Sequence, residues 1–299
     1  MADYSVAPPP QDQSVLVVGA DGMLGSRLAT AFERQGRSVW RSTQHPGRVA
    51  EQTVYLDMSS DLGECPLPVT TTAILCAAVT SMERCSQAPE ETRRINVDNT
   101  VALAKRLVGD GTFVIFLSSN AVFDGETAFA GVGDATNPRT EYGRQKAKAE
   151  EQLLELGERV AVVRFSKIVT PDMPLLVKWA RDLKAGNVIY PFSDSVMAPL
   201  SASFAVDLLC SIARRGIPGI TQASASRDIS YADAARYLAS MLAAEASLIE
   251  PISWRQAGIQ FSPKHTTLDA SRLAGLQEPG LDAPRPERAL DQICQRHAQ

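Results

Sequence analysis

The sequence has no long apolar run and no cluster of metal-ligating residues. None of its stretches is apolar enough and long enough to span a bilayer. Residues 1–13 lack the basic start and the apolar run of a signal peptide, and they carry three consecutive prolines. We therefore expect a disordered leader before Ser14 and no association with a membrane.

Cysteine and histidine are both scarce. The five cysteines are scattered without a Cys-x-x-Cys pair, which predicts free thiols in a reducing cytoplasm. The three histidines lie far apart, so no metal site is expected. Basic residues are outnumbered by acidic ones, giving a formal net charge of -4, and this argues against a nucleic-acid partner.

What is present is an ordinary globular composition arranged in an alternating pattern. With 299 residues, the chain can form one large α/β domain, or a main domain with a smaller attached part. Short apolar runs predict strands at 14–18, 38–42, 53–56, 72–77, 112–117 and 159–165. Helical spacing of apolar residues predicts helices at 24–35, 90–107 and 139–156. This alternation indicates an α/β fold, a Rossmann-type doubly wound parallel sheet covered on both faces.

The pattern changes after Phe165. Helices are predicted at 175–184, 203–214 and 231–244, a short strand at 219–221, and an irregular tail from 249 that closes with a helix near 288–296. We predict a dinucleotide-binding domain at 14–165. Residues 166–299 would form a smaller substrate-binding cap, interleaved with the main domain, at the edge where the strands end.

Three glycines follow the first predicted strand and open the first helix. Gly19 would allow a tight turn, Gly22 a close approach to a pyrophosphate, and Gly25 close packing of helix on sheet. The N–H groups of Met23 and Leu24, at the start of the helix, would then face the phosphates. The alternative is that the three glycines only shape a loop and bind no cofactor.

The end of the second predicted strand bears on the choice of cofactor. An NAD site usually has an acid there, whereas this sequence has Arg41 and Ser42. Arg41 suits a 2′-phosphate, so NADP(H) is favoured over NAD(H); a solvated surface arginine is the alternative. Asp57, followed by Met58, could accept a hydrogen bond from adenine or cap the turn 58–60.

Tyr142 and Lys146 lie one turn apart on a predicted helix, so they share a face. A nearby ammonium would favour tyrosinate and allow proton exchange at neutral pH. Ser118 and Ser119 end the preceding strand, where a hydroxyl could bind a substrate carbonyl. Such a trio predicts reduction of a carbonyl, with hydride from the cofactor.

These motifs together resemble the extended short-chain dehydrogenase/reductases, and within them the dTDP-4-dehydrorhamnose reductases. The segments that carry the resemblance are 19–25, 56–57, 76–80, 83–96, 118–125, 142–146, 163–164, 199–207 and 268–269. The resemblance therefore covers nearly the whole chain from Ser14.

The resemblance implies a role for individual residues. Tyr142 would protonate the carbonyl oxygen, Lys146 would bind the nicotinamide ribose, and Ser119 would replace the family's catalytic threonine. Further cofactor contacts would come from Ala77, Ala78, Val79 and Phe165. Substrate contacts would come from Thr80, Asn120, Val122, Lys167, Trp179 and Met197.

One departure concerns the substrate. Asn120 and Ala121 stand where the family has Asp-Tyr and where a dehydratase would need Asp-Glu, so dehydration is disfavoured. The leading hypothesis is an NADPH-dependent reductase acting on a nucleotide-activated 4-keto-6-deoxy sugar. A regulatory subunit that binds NAD(P) without catalysis and a sugar-nucleotide epimerase are the alternatives, and a homodimer is left open.

Overall fold

A computed structural model describes residues 14–63, 65–276 and 278–297, so the expected leader lies outside the described residues. The strands are β1 (Val15–Val18), β2 (Val39–Thr43), β3 (Thr53–Tyr55), β4 (Thr72–Leu75), β5 (Phe113–Ser119), β6 (Val160–Phe165), β7 (Ile168–Val169), β8 (Val196–Met197), β9 (Leu200–Ser201), β10 (Gly219–Ala223) and β11 (Ile229–Ser230). The helices are α1 (Met23–Arg34), α2 (Met82–Gln87), α3 (Pro89–Arg93), α4 (Thr100–Gly109), α5 (Glu141–Leu154), α6 (Pro174–Lys184), α7 (Ala202–Arg215), α8 (Tyr231–Met241), α9 (Ser271–Ala274) and α10 (Glu287–His297).

The main sheet has seven strands in the order β10-β6-β5-β4-β1-β2-β3. The pairs β1–β2, β1–β4, β2–β3 and β4–β5 are all parallel. All four residues of both β1 and β4 are buried, as expected for strands covered by helices on both faces. The predicted Rossmann-type fold is confirmed.

The chain divides into two compact units, each built from separate stretches of sequence. The assignment of a dinucleotide-binding domain and a substrate-binding cap stays a prediction. Of the described residues, the first unit contains 14–63, 65–122, 140–163 and 206–221, and the second contains 123–139, 164–205, 222–276 and 278–297. Residues 123–139 therefore leave the first unit and 206–221 return to it. A change in sequence pattern marks where one kind of element gives way to another. It does not show in which unit a segment packs.

The first unit holds the glycine turn and the predicted catalytic trio. On α1, Leu28, Ala29 and Phe32 are buried, so the face with helical spacing packs inwards. β5 continues two residues beyond the predicted end, and both Ser118 and Ser119 belong to it.

The predicted helix 90–107 is confirmed as a continuous helical stretch, but part of it is π-helical. α3 ends at Arg93, a π-helical segment spans Arg94–Asn99, and α4 begins at Thr100. The hydroxyl of Thr100 donates to the carbonyl of Ile95, five residues earlier, at 2.8 Å. Apolar spacing does not reveal such a segment, because one extra residue in a single turn leaves the pattern on either side intact.

The second unit has its own apolar core, formed chiefly by α6, α8 and α10. Its sheets are small: β7 pairs with β9 and β8 pairs with β11. Ser230 and Asp233 form a capping box that begins α8. Among the described residues, no helix combines the length and the apolar character needed to cross a membrane. The same part of the chain contains no group of three or more His, Cys, Asp or Glu side chains suited to a metal ion.

Candidate active site

The turn between β1 and α1 requires glycine at specific positions. Gly19 has a φ of +83°, a region that residues with a Cβ rarely adopt. Its carbonyl accepts the N–H of Gly22 at 3.0 Å. A Cβ on Gly25 would lie 2.3 Å from the Gly19 carbonyl oxygen, and a Cβ on Gly19 would lie 2.7 Å from the Ala77 nitrogen. The turn is therefore a tight backbone loop closed against the segment that follows β4.

The start of α1 fits the pyrophosphate of a dinucleotide. Gly22 occupies the N-cap position without a capping side chain, and the first turn contains no acidic residue. Met23 is about half exposed. The positive end of the helix dipole therefore meets no anionic side chain of its own first turn, which suits a bound phosphate.

The three residues of the predicted catalytic trio are brought together at the carboxyl end of β5. Ser119 ends this strand, and Tyr142 lies in the first turn of α5. Burial raises the pKa of Tyr142 to about 12, an effect partly offset by a hydrogen bond with Ser119. The Ser119 oxygen also accepts the N–H of Ala121 at 3.2 Å, which orients the hydroxyl at the strand end.

Lys146 is almost completely buried one turn further along α5. Its ammonium donates to the carbonyl of Leu117 at 2.8 Å and lies 4.4 Å from the centre of the Phe116 ring. The distance from Nζ to the centre of the Tyr142 ring is 6.0 Å. Burial lowers the pKa of Lys146 to about 8.

The expectation that Lys146 favours tyrosinate is not met in this geometry. The ammonium is directed to a backbone carbonyl, and desolvation is the largest influence on the Tyr142 phenol. A buried phenolate without a contacting cation is disfavoured, so the phenol keeps its proton at neutral pH. The trio therefore presents a neutral acid.

The sequence profile of the RmlD substrate binding domain family matches residues 13–296. The chain belongs to this family. The resemblance to the dTDP-4-dehydrorhamnose reductases that the motifs indicated is confirmed.

Two related reductases and one solved structure align with most of this chain. The probable low-salt glycan biosynthesis reductase Agl14 of Haloferax volcanii is 26% identical, over 92% of this chain and 95% of its own. The dTDP-4-dehydrorhamnose reductase of Mycolicibacterium smegmatis is 27% identical, over 88% of this chain and 80% of its own. The crystal structure of the Bacillus anthracis dTDP-4-dehydrorhamnose reductase, in complex with NADP, has a TM-score of 0.79 at 18% identity, covering 95% and 98% of the two chains. This last similarity shows that the fold is shared.

Arg41 and Ser42 are already engaged by protein groups. The guanidinium of Arg41 pairs with the carboxylate of Glu33 at 2.7 Å. The hydroxyl of Ser42 accepts the N–H of Gly19 at 2.9 Å, which ties the glycine turn to β2. A contact of Arg41 with a 2′-phosphate stays a prediction, and one that would require this ion pair to open.

Asp57 caps the turn that follows β3. Its carboxylate accepts the backbone N–H of Ser59 at 2.9 Å, together with the hydroxyls of Ser59 and Ser60. These bonds hold the pKa of Asp57 below its usual range. Met58 is buried in the apolar core. Of the two roles considered for Asp57, the structure shows the cap; adenine binding stays a prediction.

The π-helical segment positions two loops that border the site. Asn96 accepts the N–H of Val79 at 2.8 Å and donates to its carbonyl at 2.9 Å. Asn99 donates to the carbonyls of Met58 and Ser60 at 2.9 and 2.7 Å. The segments after β3 and β4 are therefore held by one short stretch of chain.

Gln145 connects this segment to α5. Its amide oxygen accepts from Asn96 at 2.8 Å, and its amide nitrogen donates to the hydroxyl of Thr92 at 2.9 Å. Both amide side chains are buried, and Gln145 directly precedes Lys146. Asn96 and Gln145 both fall within segments that carry the resemblance, but no role was predicted for either, and Asn99 falls outside those segments. Spacing alone does not show that these amides meet.

The residues expected to contact substrate are placed unequally. In the first unit, Asn120 accepts from the Ser119 hydroxyl at 3.3 Å and Thr80 is exposed, but Val122 is fully buried. In the second unit, Lys167 is exposed, whereas Trp179 and Met197 are buried. Phe165, which was predicted as a cofactor contact, is buried as well.

Trp179 and Met197 belong to the apolar core of the second unit, where Trp179 packs edge-on against Tyr231 with ring centres 6.3 Å apart. Val122 is buried as well, and the contact of these three side chains with a substrate stays a prediction. Resemblance to a motif identifies a position along the chain, but burial depends on the neighbours that the fold supplies.

Proposed function

We propose that this protein is an NADPH-dependent reductase of a keto group on a nucleotide-activated sugar of the 4-keto-6-deoxy type. The observation that carries the proposal is the buried Tyr142 phenol beside Ser119, with Lys146 one turn away, in the same unit as the glycine turn. The names of the relatives from Mycolicibacterium smegmatis and Haloferax volcanii support a reductase of this class. The NADP bound by the Bacillus anthracis protein supports the cofactor.

Each residue of the site has a separate role in the reduction of the carbonyl. A bound nicotinamide dinucleotide supplies the hydride. Ser119 orients the substrate carbonyl by a hydrogen bond to its oxygen, and Tyr142 donates its phenolic proton to the same oxygen as negative charge develops. With a pKa of about 12, Tyr142 is protonated at neutral pH and ready to act as the acid. Lys146 keeps a positive charge nearby and holds the strand end through the Leu117 carbonyl.

The residues that follow Ser119 favour reduction alone. Asn120 and Ala121 provide no carboxylate at the position where elimination of water would need an acid and a base. Asn120 instead accepts a hydrogen bond from Ser119. The sugar therefore enters the reaction with its keto group already formed.

The test is oxidation of NADPH with a panel of keto-sugar nucleotides, using wild-type protein and Tyr142→Phe. We expect turnover by the wild type and a fall in kcat of about 100- to 10,000-fold in Tyr142→Phe, because general acid catalysis is lost. Binding of NADPH should be retained in this variant. Tyr55→Phe is the matched control, since Tyr55 is an exposed tyrosine on β3 of the same unit, and its kcat should be unchanged.

Other outcomes would support the alternatives. Tight binding of NADPH without turnover of any keto sugar would refute the proposal, and cellular function that survives Tyr142→Phe would indicate a regulatory subunit. Retained NAD with interconversion of sugar epimers and no net use of NADPH would indicate an epimerase.

A further inference from the structure

An acidic side chain of the glycine turn is held by residues at and beyond the end of β2. Asp21 lies between Gly19 and Gly22, and its carboxylate accepts the hydroxyl of Thr43 at 2.6 Å. The other carboxylate oxygen accepts from the guanidinium of Arg48 at 3.2 Å. Arg48 ends a single helical turn, Pro46–Arg48, that follows β2. An acid and an arginine 27 residues apart therefore meet at the dinucleotide turn.

This placement distinguishes Arg48 from Arg41. Arg41 pairs with Glu33, which lies ten residues after Met23 on α1. At 1.5 Å per residue, the partner of Arg41 is about 15 Å along the helix from its first turn. Arg48 instead contacts the glycine turn itself. Asp21 lies two residues before the start of α1, whereas Glu33 lies next to its last residue, so the two arginines pair at opposite ends of this helix.

The pair has the charges needed to discriminate the two dinucleotides. Asp21 is ionised at neutral pH, since its hydrogen bond with Thr43 and its contact with Arg48 hold its pKa below the usual range. Alone, this carboxylate would repel a 2′-phosphate and would accept a hydrogen bond from a ribose hydroxyl. The Arg48 side chain is 65% exposed, so its guanidinium can reach a phosphate beside the turn while Asp21 orients it.

We propose that Arg48, held by Asp21, binds the 2′-phosphate of NADP(H), and that the Asp21–Arg48 pair determines the preference between NADP(H) and NAD(H). This inference rests on the proposed function in one respect, which is that a nicotinamide dinucleotide binds at the glycine turn. The residues assigned to chemistry, Ser119, Tyr142 and Lys146, take no part in it.

The test measures binding and does not require turnover. The probes are 2′,5′-ADP and 5′-AMP, titrated calorimetrically into the full chain, with NADPH and NADH followed by their fluorescence. Arg48→Gln should weaken 2′,5′-ADP and NADPH by about tenfold or more, because charge-assisted bonds to phosphate are lost. The same variant should change 5′-AMP and NADH by less than about threefold, because neither carries the 2′-phosphate.

Arg41→Gln tests the other arginine predicted to meet the 2′-phosphate, and it should weaken 2′,5′-ADP less than Arg48→Gln does, because its guanidinium pairs with Glu33. Arg34→Gln is the matched control, since Arg34 is an exposed arginine at the last position of α1. It should change the binding of every probe by less than about threefold. The double variant Asp21→Asn with Arg48→Gln should recover part of the 2′,5′-ADP affinity lost in Arg48→Gln, because the repelling carboxylate is gone. A misfolded variant would not show this recovery.

The results separate this inference from the proposed function. An unchanged ratio of 2′,5′-ADP to 5′-AMP affinity in Arg48→Gln, a larger loss in Arg41→Gln, or no binding of any probe by the wild type would overturn the inference. The expected binding pattern without reduction of any keto sugar would support the inference and remove the proposed function. Turnover with NADPH that Arg48→Gln leaves unchanged would support the proposed function and overturn the inference.

Discussion

A methyl group added at two glycines of the turn, Gly22 and Gly25, tests whether its backbone geometry binds the cofactor. In Gly25→Ala the new Cβ would lie 2.3 Å from the Gly19 carbonyl oxygen, whereas ordinary contact begins near 3.4 Å. The turn must therefore open by about 1 Å, which moves its backbone N–H groups away from the pyrophosphate. The loss of one such hydrogen bond to a charged group should weaken NADPH binding by about 10- to 100-fold. In Gly22→Ala the closest distance is 3.2 Å, so a shift of a few tenths of an ångström is enough.

The expected order of NADPH affinity is wild type, then Gly22→Ala, then Gly25→Ala. Gly109→Ala is the control, because nothing lies within 4 Å of its new Cβ and its backbone does not require glycine. Fluorescence titration with NADPH gives the affinities, and thermal unfolding shows whether each variant is folded at the temperature of the titration. Wild-type affinity in a folded Gly25→Ala, or a greater loss in Gly22→Ala, would refute the reasoning.

Two further predictions concern buried polar groups. The pKa of Lys146 is about 8 in the folded state against 10.5 for an exposed lysine, so between these values the unfolded chain binds more protons. Its contribution to the free energy of unfolding should therefore rise with pH across this window, by up to about 3 kcal/mol. Urea unfolding at both ends of the window should show a smaller rise with pH for Lys146→Met than for the wild type, and equal pH dependence would contradict this. Asn96→Leu should destabilise the protein by about 2–5 kcal/mol, because the buried groups of Val79 and Gln145 lose their partner. Asn99→Leu should lower the free energy of unfolding by less, since the partners of Asn99 are nearer to solvent. An equal loss of stability in the two variants would count against the role given to Asn96.

The fold class was predictable because apolar runs and helical spacing are properties of consecutive residues. Most strands lie within two residues of their predicted ends, as with β2 and β5. The helix predicted at 90–107 is present, but its π-helical segment was not predictable because such a segment leaves little trace in the apolar pattern. Two of the predicted substrate contacts, Trp179 and Met197, proved to be core residues, because the packing partners of an apolar side chain come from distant parts of the chain.

The sequence by itself determined the alternating strands and helices, the glycine turn from Gly19 to Gly25, and the spacing of Tyr142 and Lys146 on one helix face. Each of these depends on residues within a few positions of one another. Only the tertiary structure decided that Asp21 meets Arg48. Only it decided that Asn96 meets Gln145. Such contacts join residues 27 and 49 positions apart, so they depend on the order of strands in the sheet and on the direction in which each side chain leaves its element.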